Sequence, residues 1–194
     1  MIVLERWSWA GADGPRPDPL MAAYHDDEWG RPISDDVELF ERLVLESFQA
    51  GLSWSTILRK RTAFRAAFRG FDPAVVAAFA EADRDRLMAD AGIVRNRAKI
   101  ELRPIGNAAG WLAVRSEFGS ADAYLRAIVP GPPRSLPTNT VAGQVPASTP
   151  DSVALSKDLQ ARGFRFVGPT ITYAFMQSIG LVDDHLPGCF RYRG

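Results

Sequence analysis

The stretch "LVLESFQAGLSW" (43–54) plants an acid in an apolar helix face. At helical spacing Leu39, Leu43, Glu46 and Ala50 share one stripe, because residues three and four apart are neighbours on a helix. A carboxylate turned toward a core costs several kcal/mol unless it is paired, protonated or part of a site. Read alone, the pattern fits an ordinary surface pair between Arg42 and Glu46, four residues apart. Aromatic residues crowd the neighbouring segments: Trp7, Trp9, Tyr24, Trp29 and Trp54. Tryptophans mostly pack cores. An aromatic pocket with one carboxylate is also what a flipped nucleobase requires, since it offers stacking surfaces and one acceptor for the base edge.

Two further groupings could carry chemistry. The chain has two histidines, His25 and His185, and one cysteine, Cys189, four residues after His185. That spacing lets one turn offer two ligands to a metal, although three scattered polar side chains would read the same way. Between Ser53 and Phe71 there are five basic residues (Arg59, Lys60, Arg61, Arg65, Arg69) and no acid. Arg61, Arg65 and Arg69 repeat every four positions opposite the phenylalanines, a one-signed stripe that leans toward a phosphate backbone. "LMADAGIVRNRAKI" (87–100) reads as a helix ending at a left-handed Gly92, with a second helix beginning at once. Ile93 and Ile100 anchor it, and Arg95, Arg97 and Lys99 flank a helix start suited to phosphate. This is the pattern of a helix-hairpin-helix.

The elements that must position these groups are helices. Asp35 followed by Glu38 starts an amphipathic run to Gln49, and "SWSTILRKRTAFRAAFRGF" carries Ile57, Phe64, Phe68 and Phe71 on one side. Asp72-Pro73 and Thr149-Pro150 each place a capping side chain before a first-turn proline. Gly168-Pro169 opens an apolar, buried helix. "TIT" and "AIV" are too brief for strands. Residues 11–19 and 129–150 are rich in proline and glycine; the second is a long irregular connection, of the kind that is functional or mobile in a compact domain. The expected fold is a single all-α domain over 1–194.

Composition narrows the class. Apolar residues are 46% and charged residues 24%, as in ordinary globular proteins, and 23 basic against 23 acidic residues leave no global charge to advertise nucleic acid. A local basic face would still suffice. One cysteine forms no internal disulfide and suits a reducing compartment. Glu5 and Arg6 interrupt any signal-peptide core, and the longest apolar run, seven residues, is far below the roughly 20 of a membrane helix. The expectation is a cytoplasmic monomer with no membrane contact.

"AYHDDEWGRP", "LESFQAGLSWSTILRKR", "DAGIVRNRAKI" and "LSKDLQARGFRFVGPTITYAFMQSIGLVDDH" together resemble the DNA-3-methyladenine glycosylase I family, in order from Glu5 to Cys189. The resemblance fades over 129–145. It implies an all-α, helix-hairpin-helix glycosylase fold and excision of 3-methyladenine from alkylated double-stranded DNA. Glu46 takes the place of the pocket carboxylate. Tyr24 and Trp54 fall on aromatic pocket positions, with Trp9 and Trp29 behind them. Gln49, Gly51 and Leu52 fall in the turn that probes the duplex, Leu52 filling the gap left by the extruded nucleotide. Gly92, Ile93, Arg95 and Arg97 fall on the phosphate-gripping hairpin. His25, His185 and Cys189 match three of four ligands of a structural zinc site.

Two positions depart from that pattern. Trp7 stands where the fourth zinc ligand, a cysteine, is expected, and Met21 stands where a pocket tyrosine is expected. The metal then persists on three ligands, or the indole packs the site. The implied chemistry is simple: a base alkylated at N3 is a cation that leaves readily, so stacking, electrostatics and an attacking water suffice. No nucleophilic lysine stands out, which predicts a monofunctional hydrolase. Two rivals are a non-catalytic binder of damaged DNA with an eroded site, and a metal-dependent hydrolase of a small substrate built on His25, His185 and Cys189.

Overall fold

In the computed structural model, which describes residues 6–10 and 17–193, the regular structure is almost all helical. Glu5 and residues 11–16, on which the leader and part of the first loop expectations rest, lie outside the described residues. Helix α1 (Pro19–Asp27) is capped by Asp18, and α2 (Asp36–Gln49) by Asp35, whose carboxylate accepts from the Val37 and Glu38 amides at 3.0 and 2.8 Å. Ser53 caps α3 (Trp54–Ala67), Asp72 caps α4 (Pro73–Ala77) and Thr149 caps α9 (Pro150–Ala161). Each cap satisfies amide groups that the first turn leaves without partners, which is why these boundaries are readable from local sequence. The remaining helices are α5 (Glu81–Ala89), α6 (Arg97–Ile100), α7 (Gly106–Phe118), α8 (Ala121–Ile128) and α10 (Pro169–Ser178).

Helix α2 runs through the middle of the main core. Leu39, Phe40, Leu45 and Phe48 are fully buried against α3, α8 and α10. Ile57, Phe64, Phe68 and Phe71 are equally buried, as their spacing requires, and Phe64, Phe68 and Phe71 stack in series. A smaller cluster of Met21, Tyr24, Trp29 and Leu58 sits between α1 and α3, with Trp7, Trp9 and Trp54 packed on it. Between α6 and α7 the backbone makes a π turn, Glu101–Ile105. Pro104 lies inside it and has no N–H for the regular ladder, so a widened turn carries the chain through.

The proline-rich connection is less irregular than its composition suggests. It contains a two-residue strand, β1 (Arg134–Ser135), paired in parallel with β2 (Val182–Asp183), and a 3₁₀ turn at Ala142–Gln144. "TIT" and "AIV" are in or at the end of helices, as expected.

Two sequence expectations are corrected here. The basic stripe of α3 is not a free cationic face. Arg61 is buried and donates to Glu28 and Glu41, both at 2.5 Å, while Arg65 donates to Glu41 at 2.9 Å. Arg59 pairs with Asp18 at 2.7 Å, and the Lys60 ammonium bonds the Ala91 and Gly92 carbonyls at 3.0 Å. The stripe therefore ties α1, α2 and α3 together. The second correction concerns Gly92. Helix α5 ends at Ala89, α6 starts only after the Asn96 cap, and Gly92 is not in the left-handed region. Glycine is needed there for space: a Cβ would stand 2.9 Å from both the Ala63 Cβ and the Asp90 carboxylate.

Candidate active site

Eight of the sequence-selected residues line one cavity of about 690 Å³: Trp7, Trp9, Met21, Tyr24, Trp29, Glu46, Gln49 and Trp54. Helix α1 supplies Met21 and Tyr24, the turn after it supplies Trp29, and α2 supplies Glu46 and Gln49. Trp54 enters from the first turn of α3, and Trp7 and Trp9 from the N-terminal segment. The Tyr24 and Trp54 rings lie 5.2 Å apart at 51°, and Trp9 meets Trp29 edge-on at 5.3 Å. These separations are those of packed aromatic pairs. The resulting wall has π faces and very little polarity.

Glu46 is the exception in that wall. It is 7% exposed, and neither a hydrogen bond nor an ion pair reaches its carboxyl among the described residues. The simple Arg42–Glu46 pair is thus absent. Arg42 instead donates to Glu28 at 2.6 Å and Glu38 at 3.5 Å, with its Cζ 5.4 Å from the Tyr24 ring centre. Burial pushes the Glu46 pKa from the ordinary 4.5 up to about 8, and the nearby Arg42 charge offsets only part of that rise. Burial thus favours the neutral acid until an opposing charge comes near it. Burial, reinforced by the Glu46 charge, likewise raises the Tyr24 pKa.

Two more polar groups are left without partners. The Tyr24 hydroxyl and the Trp54 indole Nε1 are both buried and make no hydrogen bond. Buried polar groups are nearly always satisfied, so an acid, a hydroxyl and an indole N–H left open around one cavity mark a place where a ligand completes the bonding. The ligand so described is flat, aromatic and a hydrogen-bond donor. Positive charge on it would favour ionised Glu46.

Sequence reasoning missed the other walls. Ala142 and Val145 close one side from the proline-rich connection, and Ala174 and Gln177 close another from α10. The only signal for the first pair was the length of an irregular segment inside a compact domain. Asp18, Ser53 and Ser55 form part of the rim, where Ser55 donates to Asp18 at 2.8 Å.

The turn expected to probe DNA lies beside the cavity. Gly51 takes φ +81, a value that favours glycine, and the Gln49 side chain donates to the Leu52 carbonyl at 2.8 Å, so that the turn is braced. Leu52 is half-buried. Farther off, Ile93 is buried and Arg95 is exposed, whereas Arg97 pairs with Glu81 at 2.5 Å and Glu101 at 2.7 Å. Arg97 is exposed like Arg95, but its guanidinium is taken up by two surface ion pairs.

His25, His185 and Cys189 do come together. Their ligand atoms lie within 4.8 Å of one another, and all three residues are buried. His25 Nε2 is 3.4 Å from Cys189 Sγ, and His185 Nε2 is buried without a partner. Each ring is held from behind, His25 Nδ1 by Asp26 at 2.8 Å and His185 Nδ1 by Asp183 at 2.6 Å. Trp7 offers no ligand to the cluster. Its indole N–H donates to the Asp184 carbonyl at 2.9 Å, and its ring meets Trp29 edge-on at 6.4 Å. The N-terminal segment is thus tied to the C-terminal one by a hydrogen bond rather than by a fourth ligand.

Comparison with known proteins decides the lineage. The family model described as "Methyladenine glycosylase" matches residues 14–192. The chain belongs to the methyladenine glycosylase family. "DNA-3-methyladenine glycosylase 1" of Escherichia coli (strain K12) is 47% identical over 191 residues, 98% of each chain. "DNA-3-methyladenine glycosylase" of Haemophilus influenzae is 45% identical over 186 residues, covering 95% of this chain and 96% of that one. The solved 3-methyladenine DNA glycosylase I from Staphylococcus aureus, described with its structural basis of 3-methyladenine recognition, superposes with a TM-score of 0.88. It is 36% identical, over 98% of this chain and 99% of that one. Family membership and the all-helical fold read from the sequence both stand.

Proposed function

We propose that this chain is a DNA glycosylase that hydrolyses the N-glycosidic bond of 3-methyladenine in alkylated DNA, an activity carried by the names of its full-length relatives. The observation that carries the reading onto these residues is Glu46: an unpaired carboxyl, buried in aromatic walls, beside an unpartnered hydroxyl and indole N–H. An adenine methylated at N3 is cationic. Its exocyclic amine can donate to Glu46, and its flat face can stack on Trp54 or Tyr24. Ionising Glu46 against this cation returns the energy that burial took from the carboxylate, whereas neutral adenine offers no such return. Selection thus rests on charge.

As the glycosidic bond breaks, the departing electron pair neutralises the base and positive charge moves to the sugar. Water then adds to the anomeric carbon and gives up a proton to solvent, leaving an abasic site and free 3-methyladenine. In this reading Gln49, Gly51 and Leu52 would enter the duplex where the nucleotide has left, and Arg95 with the turn around Gly92 and Ile93 would meet a phosphate. We take the substrate to be double-stranded and the working form to be a cytoplasmic monomer. No helix among the described residues is long and apolar enough to cross a membrane. An eroded binder is less well supported, since a protein that only grips DNA has no use for an unpaired buried acid.

The test is direct. The protein is incubated with methylated duplex DNA, and the released bases are separated and identified. Appearance of 3-methyladenine with intact strands supports the reading, and binding of alkylated DNA without base release would favour the eroded binder. Trp54→Ala should lower kcat/KM about 10- to 100-fold, since stacking one base on an aromatic ring is worth about 1–3 kcal/mol. Trp54→Phe, which keeps a ring, should recover most of that loss in the same assay.

His25, His185 and Cys189 fit a zinc ion: two imidazole nitrogens and a sulfur converge, with a carboxylate behind each ring as in many metal sites. When bound there, zinc would supply structural cross-linking of α1 to the C-terminal segment. None of the three residues lines the cavity, which favours a structural role over the metal-hydrolase rival. Zinc at 100 times its dissociation constant should stabilise the fold by about 2.7 kcal/mol and raise the melting temperature by several degrees. Metal analysis should find one equivalent, and His185→Ala should abolish both effects.

A further inference from the structure

Arg103 lies in the π turn, 5% exposed, with Nε and Nη1 buried and without a hydrogen-bond partner. Neither a carboxylate nor a carbonyl compensates its charge among the described residues, and the nearest acid in sequence, Glu101, is paired with Arg97. Its guanidinium sits 4.4 Å from the centre of the Phe166 ring. Phe166 is itself unusual: the ring is 42% exposed, and the backbone takes φ +56, a region that bulky side chains avoid. Asn107 holds that backbone in place, accepting from the Arg165 amide at 2.8 Å and donating to the Arg165 carbonyl at 3.0 Å. Arg165 is exposed.

This arrangement adjoins the turn proposed to enter DNA. Lys99, four residues before Arg103, donates to the carbonyls of Phe48 and Ala50 at 3.2 and 2.8 Å, at the end of α2 and the start of the 50–53 turn. The charge of Arg103 helps to depress the Lys99 pKa, so two cations stand close together with no anion between them. Uncompensated buried charge is costly, and nearby anions relieve it. A ring stacked over the guanidinium, itself partly exposed and on a backbone of positive φ, holds the guanidinium plane near the protein surface.

We propose that Arg103, flanked by Lys99 and Arg165 and stacked under Phe166, is a second contact to a DNA backbone phosphate, near the 50–53 turn and separate from the turn at 92–97. The phosphate would take the open guanidinium N–H groups, and Phe166 would hold the guanidinium plane by stacking. The inference rests on the proposed action on DNA, but its test uses binding alone.

Affinity for an undamaged duplex is measured by fluorescence anisotropy between 50 and 200 mM salt, alongside wild-type base release. Arg103→Met should weaken binding about tenfold at the low-salt end and reduce the slope of log K against log salt by about one. Its melting temperature should match or exceed wild type, because a buried unpaired charge has been removed. Phe166→Ala, a surface change, should weaken binding about three- to fivefold and keeps the question open to test should Arg103→Met fail to fold. Unchanged affinity and slope in these variants, with wild-type excision intact, would overturn this contact and leave the glycosylase reading standing. Absence of wild-type DNA binding would overturn both.

Discussion

Glu46→Gln should reduce excision of 3-methyladenine by 100-fold or more while making the folded protein more stable at alkaline pH. The loss of rate follows from removing the buried carboxyl that opposes the cationic base, an electrostatic contribution typically worth 10²–10³ in rate. The gain in stability follows from linkage. The carboxyl titrates near 4.5 when unfolded and at about 8 when buried, so over that window the folded chain retains a proton that the unfolded chain has released. Its cost to stability is absent below about pH 4.5, grows as pH rises, and is complete above about 8. At 1.36 kcal/mol per pH unit this approaches about 5 kcal/mol at most. Melting curves at pH 4.5 should therefore coincide for the two proteins, and at pH 9 the Gln variant should melt several degrees higher. Equal melting at both pH values would mean that the acid has a partner in solution.

Arg61→Met should be the most destabilising change on α3, by about 3 kcal/mol or more. It leaves Glu28 and Glu41 facing a vacated guanidinium site, and breaking a buried pair from one side costs about 3–5 kcal/mol. For a chain of this size that is a fall of roughly 6–12 °C in melting temperature. Arg65→Met, whose side chain is half exposed, should cost less than about 1 kcal/mol. Neither change should alter the salt dependence of DNA binding. A lowered salt slope for Arg61→Met, with melting unchanged, would restore the free basic stripe that the sequence suggests.

These residues show what a single sequence reveals. Caps at Asp35, Asp72 and Thr149 were legible because their chemistry is complete within three or four residues. The burial of Glu46 was only half legible: an acid on an apolar stripe conflicts with its surroundings, but Arg42 four residues away offered an ordinary surface partner, and the pocket role came only with the family resemblance. The fate of Arg61 was not legible. Its partners Glu28 and Glu41 come from elsewhere in the chain, and a one-signed run cannot disclose what faces it across an interface. Gly92 misled for a related reason: glycine serves both left-handed turns and close approaches, and only the position of Ala63 distinguishes them. The walls from Ala142, Val145, Ala174 and Gln177 carry no chemical signature of their own. Trp7 was legible as a departure, yet its bond to Asp184 and its place in the cavity required the fold.

Whether Glu46 meets a cation is tested most directly by the pH dependence of kcat/KM for 3-methyladenine release from methylated duplex DNA. That parameter reports ionisations of the free enzyme. Wild type should show a rate that climbs with pH and levels off near the value of about 8 that burial gives Glu46, and Glu46→Gln should be slow and flat. Release by both proteins at equal rates, with no rising limb, would contradict the account.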